Sequence, residues 1–293
     1  MENQFRPQGF SILPLVVKNL LIINSIFFLA TIAMDYVWHV DLARYLGLHY
    51  IGASDFKPYQ FVTYMFMHGS FAHLFFNMFA LWMFGNAIEN VWGPQRFLIF
   101  YFVCGIGAGL TQELVQYIQL NDIVQNYEYV KIGNKSIPVD DYLNLLTTVG
   151  ASGAIYGILL AFGMMWPNSK IYLYFLIPIK TKWFVIIYGL LELFSGFSSV
   201  DNVAHFAHVG GMVFGLLLIL YWKNQGNGGP NFRIRFNKNK SGGERPKSDW
   251  DYNKERHDDD RRTDEILDKI SKGGYDSLTA EEKEFLFKQS KKS

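Results

Sequence analysis

The chain has a single cysteine, Cys104, so an intramolecular disulfide is impossible, and its apolar surroundings mark it as a buried, inert thiol. Charge is scarce: Asp, Glu, Lys and Arg make up 18% of the 293 residues against 50% hydrophobic, a balance rich in apolar residues for a soluble protein. What charge there is nearly cancels, at +1, and gives no reason to propose nucleic acid as a partner. No His-Glu-x-x-His run offers a zinc site, and no Gly-x-Gly-Asp pair offers an aspartyl dyad. No internal repeat is evident, which argues against an inverted-repeat transporter. Nor is a signal-peptide layout present: the run from Ile12 to Met34 is too long for a signal core and no small-residue cleavage site follows, so it is expected as a retained first span.

What the chain does have is six apolar stretches. A bilayer core needs roughly 20 mainly apolar helical residues. Residues 15–36, 71–90, 97–118, 150–166, 183–198 and 203–222 meet or approach that length. The segment Ile171–Ile179 is too short to cross and is broken by Pro178, which places it at the interface. Residues 223–293 hold 17 of the 27 basic and 14 of the 26 acidic residues, so the last quarter is soluble in character. Three parts are therefore expected: a membrane domain over 1–222, a disordered linker over 223–262 and a small helical hairpin over 263–293. With the N-terminus inside, the inner face holds Arg6, Lys18, Arg96, Lys170, Lys180, Lys182 and the basic segment after Lys223. The outer face holds only Arg44, Lys57, Lys131 and Lys135, which puts both termini in the cytoplasm. The long loops 37–70 and 119–149 then face outward, the first as a structured, partly embedded loop and the second as a polar insertion.

In this topology spans two, four and six run the same way. His73 and Asn77 lie near the start of span two, Ser152 starts span four, and His208 is about one turn into span six. At about 1.5 Å per residue all four share the outer third of the membrane. Polar groups at membrane depth usually face the bundle interior, and four at one level on three helices point beyond ordinary interhelical bonding. Serine is a weak nucleophile that needs an adjacent base, which His208 supplies. Asn77, His73 and the Ser152 backbone N–H are suitable donors to a tetrahedral oxyanion, and Asn77 and His73 share a helix face at i, i+4. No carboxylate is expected at this level, so the reading is a Ser–His dyad. Gly153 and Gly157 on span four, and Gly211 and Gly215 on span six, form small-residue faces whose packing would bring Ser152 and His208 together. Tyr156, one turn below Ser152, is expected to stack on the His208 ring.

These residues resemble the rhomboid intramembrane serine proteases. Gly150-Ala151-Ser152-Gly153 is similar to the family's GxSG nucleophile motif, Ala207-His208-x-x-Gly211-x-x-x-Gly215 to its AHxxGxxxG base motif, and His73-x-x-x-Asn77 to its HxxxN oxyanion motif. His68 matches a histidine position seen in many members. The resemblance covers about residues 10–222. It implies an all-α bundle of six transmembrane helices with a cavity opening outward, and proteolysis of membrane proteins that carry a transmembrane segment, without metal or organic cofactor. It also implies a fifth span, Trp183–Ser198, acting as a lateral gate with Phe194 and Phe197 along it. Two departures stand out: Lys57-Pro58-Tyr59-Gln60-Phe61 replaces the family's frequent Trp-Arg pair, and the 119–149 insertion is longer than in compact members.

Only His208 of the two nearby histidines has the glycine spacing after it, so His205 is expected at the cavity mouth or a neighbouring helix. Glu89 and Glu192 read as interfacial or helix-bonding residues, and His39, His49 and His257 as surface histidines. In the tail, Thr263–Ile270 has apolar residues at helical spacing and Gly273-Gly274 stops it. Ser277-Leu278-Thr279-Ala280-Glu281-Glu282 reads as a capped start to a second helix. Such a hairpin is too small for much of a core of its own and is expected to dock on a partner or on the membrane domain. The alternative to a protease is a non-catalytic rhomboid-like binding or quality-control factor. A bacterial cytoplasmic membrane is the expected location.

Overall fold

With no water in a hydrocarbon layer to bond backbone N–H and C=O groups, long apolar runs must close those bonds within helices. The computed structural model of the chain is built accordingly. It describes residues 11–173, 176–198 and 204–225, and, in the C-terminal part, 263, 265–274, 277–279, 281–283 and 285–286. The chain divides into two compact units, Met1–Ile234 and Arg235–Ser293. Most of the linker expected over 223–262 lies outside the described residues.

Helix α1 (Leu15–Trp38) leads into a structured first loop made of α2 (Leu42–Leu46), the short strand β1 (Leu48–His49), α3 (Gln60–Thr63) and a tight turn at Tyr64–Phe66. Next, α4 (Phe71–Ala80) passes through a widened turn at Leu81–Gly85 into α5 (Asn86–Trp92) without leaving helical geometry. Helix α6 (Pro94–Asn126) is followed by the antiparallel hairpin β2 (Tyr129–Ile132) and β3 (Lys135–Pro138), then α7 (Val139–Leu145) and β4 (Thr147–Thr148). The unit ends with α8 (Ser152–Met165), the hairpin β5 (Lys170–Leu173) and β6 (Ile177–Lys180), α9 (Thr181–Ser198) and α10 (His205–Asn224).

Among the described residues, four helices are long and apolar enough to cross a membrane: Leu15–Trp38, Phe71–Trp92, Pro94–Asn126 and His205–Asn224. At the fourth expected place stands the shorter apolar helix α8, of 14 residues, and at the fifth α9, of 18. The Ile171–Ile179 stretch is the β5–β6 hairpin, with Pro178 in a two-stranded ribbon whose ladder tolerates it.

The insertion after Gln119 is ordered where the sequence reads as loop. With 33 residues α6 is about 50 Å long, well beyond a bilayer core of about 30 Å. Its end is held by a second apolar cluster in which Leu120 packs with Tyr50, Ala53 and Leu143. Burial and the neighbouring Glu113 and Tyr117 push the Tyr50 hydroxyl pKa up. The consecutive polar residues Asn121 and Asp122, the second exposed, hid the helix from a hydropathy reading.

The main core is centred on α8, whose Ala154, Ile158 and Ala161 are at most 1% exposed. Its glycine seam meets that of α10 backbone to backbone. A Cβ on Gly211 would lie 1.9 Å from the Gly153 carbonyl oxygen, and one on Gly157 2.4 Å from Cys104 Sγ and 2.9 Å from the Gly211 oxygen. At the other end of the bundle α5 ties down the start of α1: Glu89 Oε1 and Oε2 accept from the Val16 and Val17 N–H groups at 2.9 and 2.8 Å, and Asn86 Nδ2 donates to the Ile12 oxygen at 2.6 Å.

In the C-terminal unit, residues 265–273 are helical and Gly274, at φ 74°, closes the helix by donating to the Ile270 oxygen. Thr279 and Glu282 form a reciprocal cap: the Thr279 N–H donates to Glu282 Oε2 at 2.8 Å and the Glu282 N–H to Thr279 Oγ1 at 3.3 Å. Lys269 Nζ, 2.7 Å from Glu282 Oε1, is the main reason the Glu282 carboxyl titrates at about 2.

Candidate active site

The chain reaches Ser152 through a constrained turn. Thr147 and Thr148 pair antiparallel with His49 and Leu48, and the Gly150 N–H donates to the Tyr64 oxygen at 2.9 Å. Gly150 has φ 129°, a conformation that costs little only for glycine. A Cβ there would also strike the His73 ring at 2.9 Å. Two residues later Ser152 opens α8. No side chain caps this helix, so its first N–H groups, that of Ser152 included, stay available to an incoming anion.

His208 enters from α10, one turn after its start. It is 9% exposed, and its Nε2 lies 2.7 Å from Ser152 Oγ. The Tyr156 ring stacks on the imidazole with centroids 4.3 Å apart and planes at 8°. His73 and Asn77 come from α4, whose first turn is capped by Ser70 Oγ accepting from the His73 N–H at 3.1 Å. The His73 ring and Ser152 Oγ flank the space above Gly150. Asn77, 6% exposed, donates one amide proton to the His73 carbonyl at 2.9 Å and keeps a second. His68 lies just before α4, buried, its ring edge-on to His73 at 5.1 Å. Burial first, and then His73, hold the His68 imidazole down at about 4.

Two residues stand where the sequence did not put them. Glu192, read as an interfacial or helix-bonding residue near a span end, reaches His208: its Oε2 lies 2.8 Å from His208 Nδ1 and 2.7 Å from His205 Nδ1, and the Tyr156 hydroxyl donates to its Oε1. The expectation that no carboxylate shares this level is therefore corrected. The signal was present in Leu190-Leu191-Glu192-Leu193-Phe194, where an acid inside an apolar run must find donors. At 11 residues from Thr181, it sits about 16 Å along α9. His49, read as a surface histidine, is fully buried in the first loop with Nε2 2.7 Å from the Arg44 oxygen.

The Glu192, His205 and His208 donor atoms lie within 4.8 Å of one another, a set of metal-binding type. Both Nδ1 atoms meet one carboxylate oxygen and the tyrosine hydroxyl the other, so the set is joined as one hydrogen-bond cluster. Its chemistry is that of a hydroxyl polarised by an oriented imidazole, beside backbone and side-chain donors.

Residues 55–225 match the model of the rhomboid domain, and residues 248–292 a second model described only as a family of unknown function. The chain is 32% identical to rhomboid protease AarA of Providencia stuartii over 168 residues, covering 53% of this chain and 52% of that protein. It is 30% identical to rhomboid protease GluP of Bacillus subtilis over 158 residues, 54% of this chain and 24% of the relative. Rhomboid-like protein 11, chloroplastic, of Arabidopsis thaliana is 27% identical over 202 residues, 61% of each. The matches thus span about a quarter to three-fifths of these relatives' own lengths. The rhomboid match takes in more than half of the chain and includes Ser152, His208, His73 and Asn77. Its helices are those of an integral membrane protein, and the chain belongs to the rhomboid family.

Proposed function

We propose that the chain is an intramembrane serine endopeptidase that cuts transmembrane or membrane-proximal segments of membrane proteins, with Ser152 as nucleophile and His208 as base. The observation that carries this reading is the 2.7 Å contact between Ser152 Oγ and His208 Nε2, with the imidazole held by Tyr156. His208 Nε2 takes the hydroxyl proton as Ser152 Oγ attacks the scissile carbonyl, a contribution of about 10²–10⁴-fold for a placed general base. The oxyanion is received by the Ser152 N–H, the second Asn77 amide proton and the His73 ring, each donor being worth about 10²–10³ in turnover where such groups have been removed. The imidazolium then protonates the leaving amine. In the second half-reaction His208 draws a proton from water, which opens the acyl-enzyme.

Six membrane crossings complete the reading, with α8 and α9 as the two shorter ones, the active site toward the outer side and both termini cytoplasmic in a bacterial cytoplasmic membrane. The substrates are membrane proteins met within the bilayer. The test is labelling of the full-length protein in detergent with a fluorophosphonate, beside cleavage of a reconstituted transmembrane peptide. Wild type is expected to label and cleave, and Ser152→Ala and His208→Ala to do neither. A folded wild type that neither labels nor cleaves would favour the non-catalytic binding role, and labelling that survives Ser152→Ala would mean another nucleophile.

A further inference from the structure

Glu192 is the one acid that reaches the catalytic histidine among the described residues, and nothing in a Ser–His dyad calls for it. Its two oxygens meet three partners from two other helices: the Tyr156 hydroxyl on α8 donates to Oε1, and His205 Nδ1 and His208 Nδ1 on α10 both lie against Oε2. In its ionised form the carboxylate is acceptor only and can accept from all three at once. The consequence for His208 is specific. With an acceptor-only partner at Nδ1, the ring proton is fixed there, and the lone pair is left on Nε2, the atom that faces Ser152 Oγ.

We infer that Glu192 is a positioning residue that completes a Ser152–His208–Glu192 relay: it fixes the reactive tautomer of His208 and stabilises the imidazolium formed when Ser152 gives up its proton. This rests on the serine-protease reading and deepens it. The proton moves from Ser152 Oγ to His208 Nε2 and on to the leaving amine, while the Nδ1 proton stays between His208 and Glu192 throughout. His205 shares the same carboxylate oxygen, and Tyr156 both stacks on His208 and holds Glu192 Oε1, so the acid has no freedom to swing away from the ring. Because Glu192 is carried by α9 while the nucleophile and base sit on α8 and α10, the base is fully oriented only when α9 lies against both.

The titratable groups facing His208 are Tyr156 on α8, Glu192 on α9, His205 on its own helix and His73 on α4. Removing the only anion among them makes protonation of His208 harder, so the acid limb of the activity profile must move to lower pH. The experiment is the rate of fluorophosphonate labelling between pH 5 and 9, on full-length wild type, Ser152→Ala, Glu192→Gln and Glu192→Asp in detergent, with thermal unfolding as the folding control. Glu192→Gln is expected to label about 10–100-fold more slowly at its best pH, with the acid limb lower by about 1 or more on the pH scale. Glu192→Asp is expected to recover part of the rate and to keep the acid limb at its wild-type position, because the charge is retained on a shorter arm.

Glu192→Gln that labels at the wild-type rate with an unmoved limb overturns the inference while the protease reading stands. So does equal slowing in both variants with both limbs unmoved, which is the signature of a purely structural residue. If Glu192→Gln does not fold, Glu192→Asp carries the test: a limb displaced despite the retained charge overturns the inference. Wild type that fails to label, or label that survives Ser152→Ala, removes the protease reading and the relay together.

Discussion

Gly211→Ala is the smallest change that tests how the site is assembled. The added Cβ would stand 1.9 Å from the Gly153 carbonyl oxygen and 2.7 Å from its carbonyl carbon. Those are backbone atoms in the middle of a seam, with no rotamer to change. To restore an ordinary contact of 3.4 Å, α10 would have to retreat from α8 by about 1.5 Å. Overpacking of this kind costs about 1–3 kcal/mol, and a backbone neighbour puts it at the upper end. The functional cost is larger in proportion. The 2.7 Å contact between Ser152 and His208 bridges the same two helices, one residue from Gly153 and three from Gly211. A retreat of that size carries it past hydrogen-bond range, and misplacement by about 1 Å can cost about 10²-fold in rate. The assay is fluorophosphonate labelling with thermal unfolding in detergent. Gly189→Ala on α9 is the control, because the nearest atom its Cβ meets is the mobile Met212 methyl at 3.1 Å. Gly211→Ala is expected to lose about 10²-fold in labelling and to melt lower, and Gly189→Ala to do little of either. Equal behaviour of the two variants would refute the packed-seam account.

Two further outcomes follow from buried charges and rings away from Ser152. Glu89→Gln removes one of the two acceptors that meet the first N–H groups of α1 and turns a donor toward them, so it is expected to destabilise the fold by about 1–3 kcal/mol in denaturant titration while labelling stays within about twofold. An unchanged midpoint would show that the carboxylate does not hold α1. The His68 imidazole is pushed down to about 4 from an ordinary 6.5, so the unfolded chain takes up a proton first as pH falls. The stability from neutral His68 is complete above about 6.5 and is lost through the window down to about 4, by up to about 3 kcal/mol. His68→Gln should therefore show a flatter dependence of unfolding midpoint on pH between 4 and 7, and parallel curves for the two proteins would refute it.

How much of this was legible in the sequence follows from the range over which each signal acts. The seam was readable because i, i+4 glycines on two apolar stretches have few uses other than close backbone approach. The depth argument could group Ser152, His208, His73 and Asn77 because each lies near the start of its apolar stretch, where counting residues gives a level directly. It failed for Glu192 although the expected span 183–198 nearly matches α9, because the acid was assigned to helix bonding rather than counted along its span with the other polar residues. Its partners place it beside His208. His49 was misread for a related reason: its burial comes from β1 pairing with β4, about a hundred residues along the chain, and no local pattern announces a two-residue strand. The ordered end of α6 was hidden because a helix longer than the bilayer must turn polar where it leaves it, and that polarity looks like a loop.

The same geometry predicts how the site responds to damage. Ser152, His208, Glu192, His205 and Tyr156 form one connected cluster in which each is held by a bond to at least one of the rest. A group left unpaired at such a place keeps its full desolvation cost, so the loss of one member weakens the position of the others. Substitutions within the five should therefore be strongly non-additive. Once Glu192 is gone, removing Tyr156's hydroxyl adds little, because its acceptor has already been lost. Substitutions on the glycine seam act through helix separation and should add to those of the cluster until the Ser152–His208 contact is broken, after which further change has nothing left to remove.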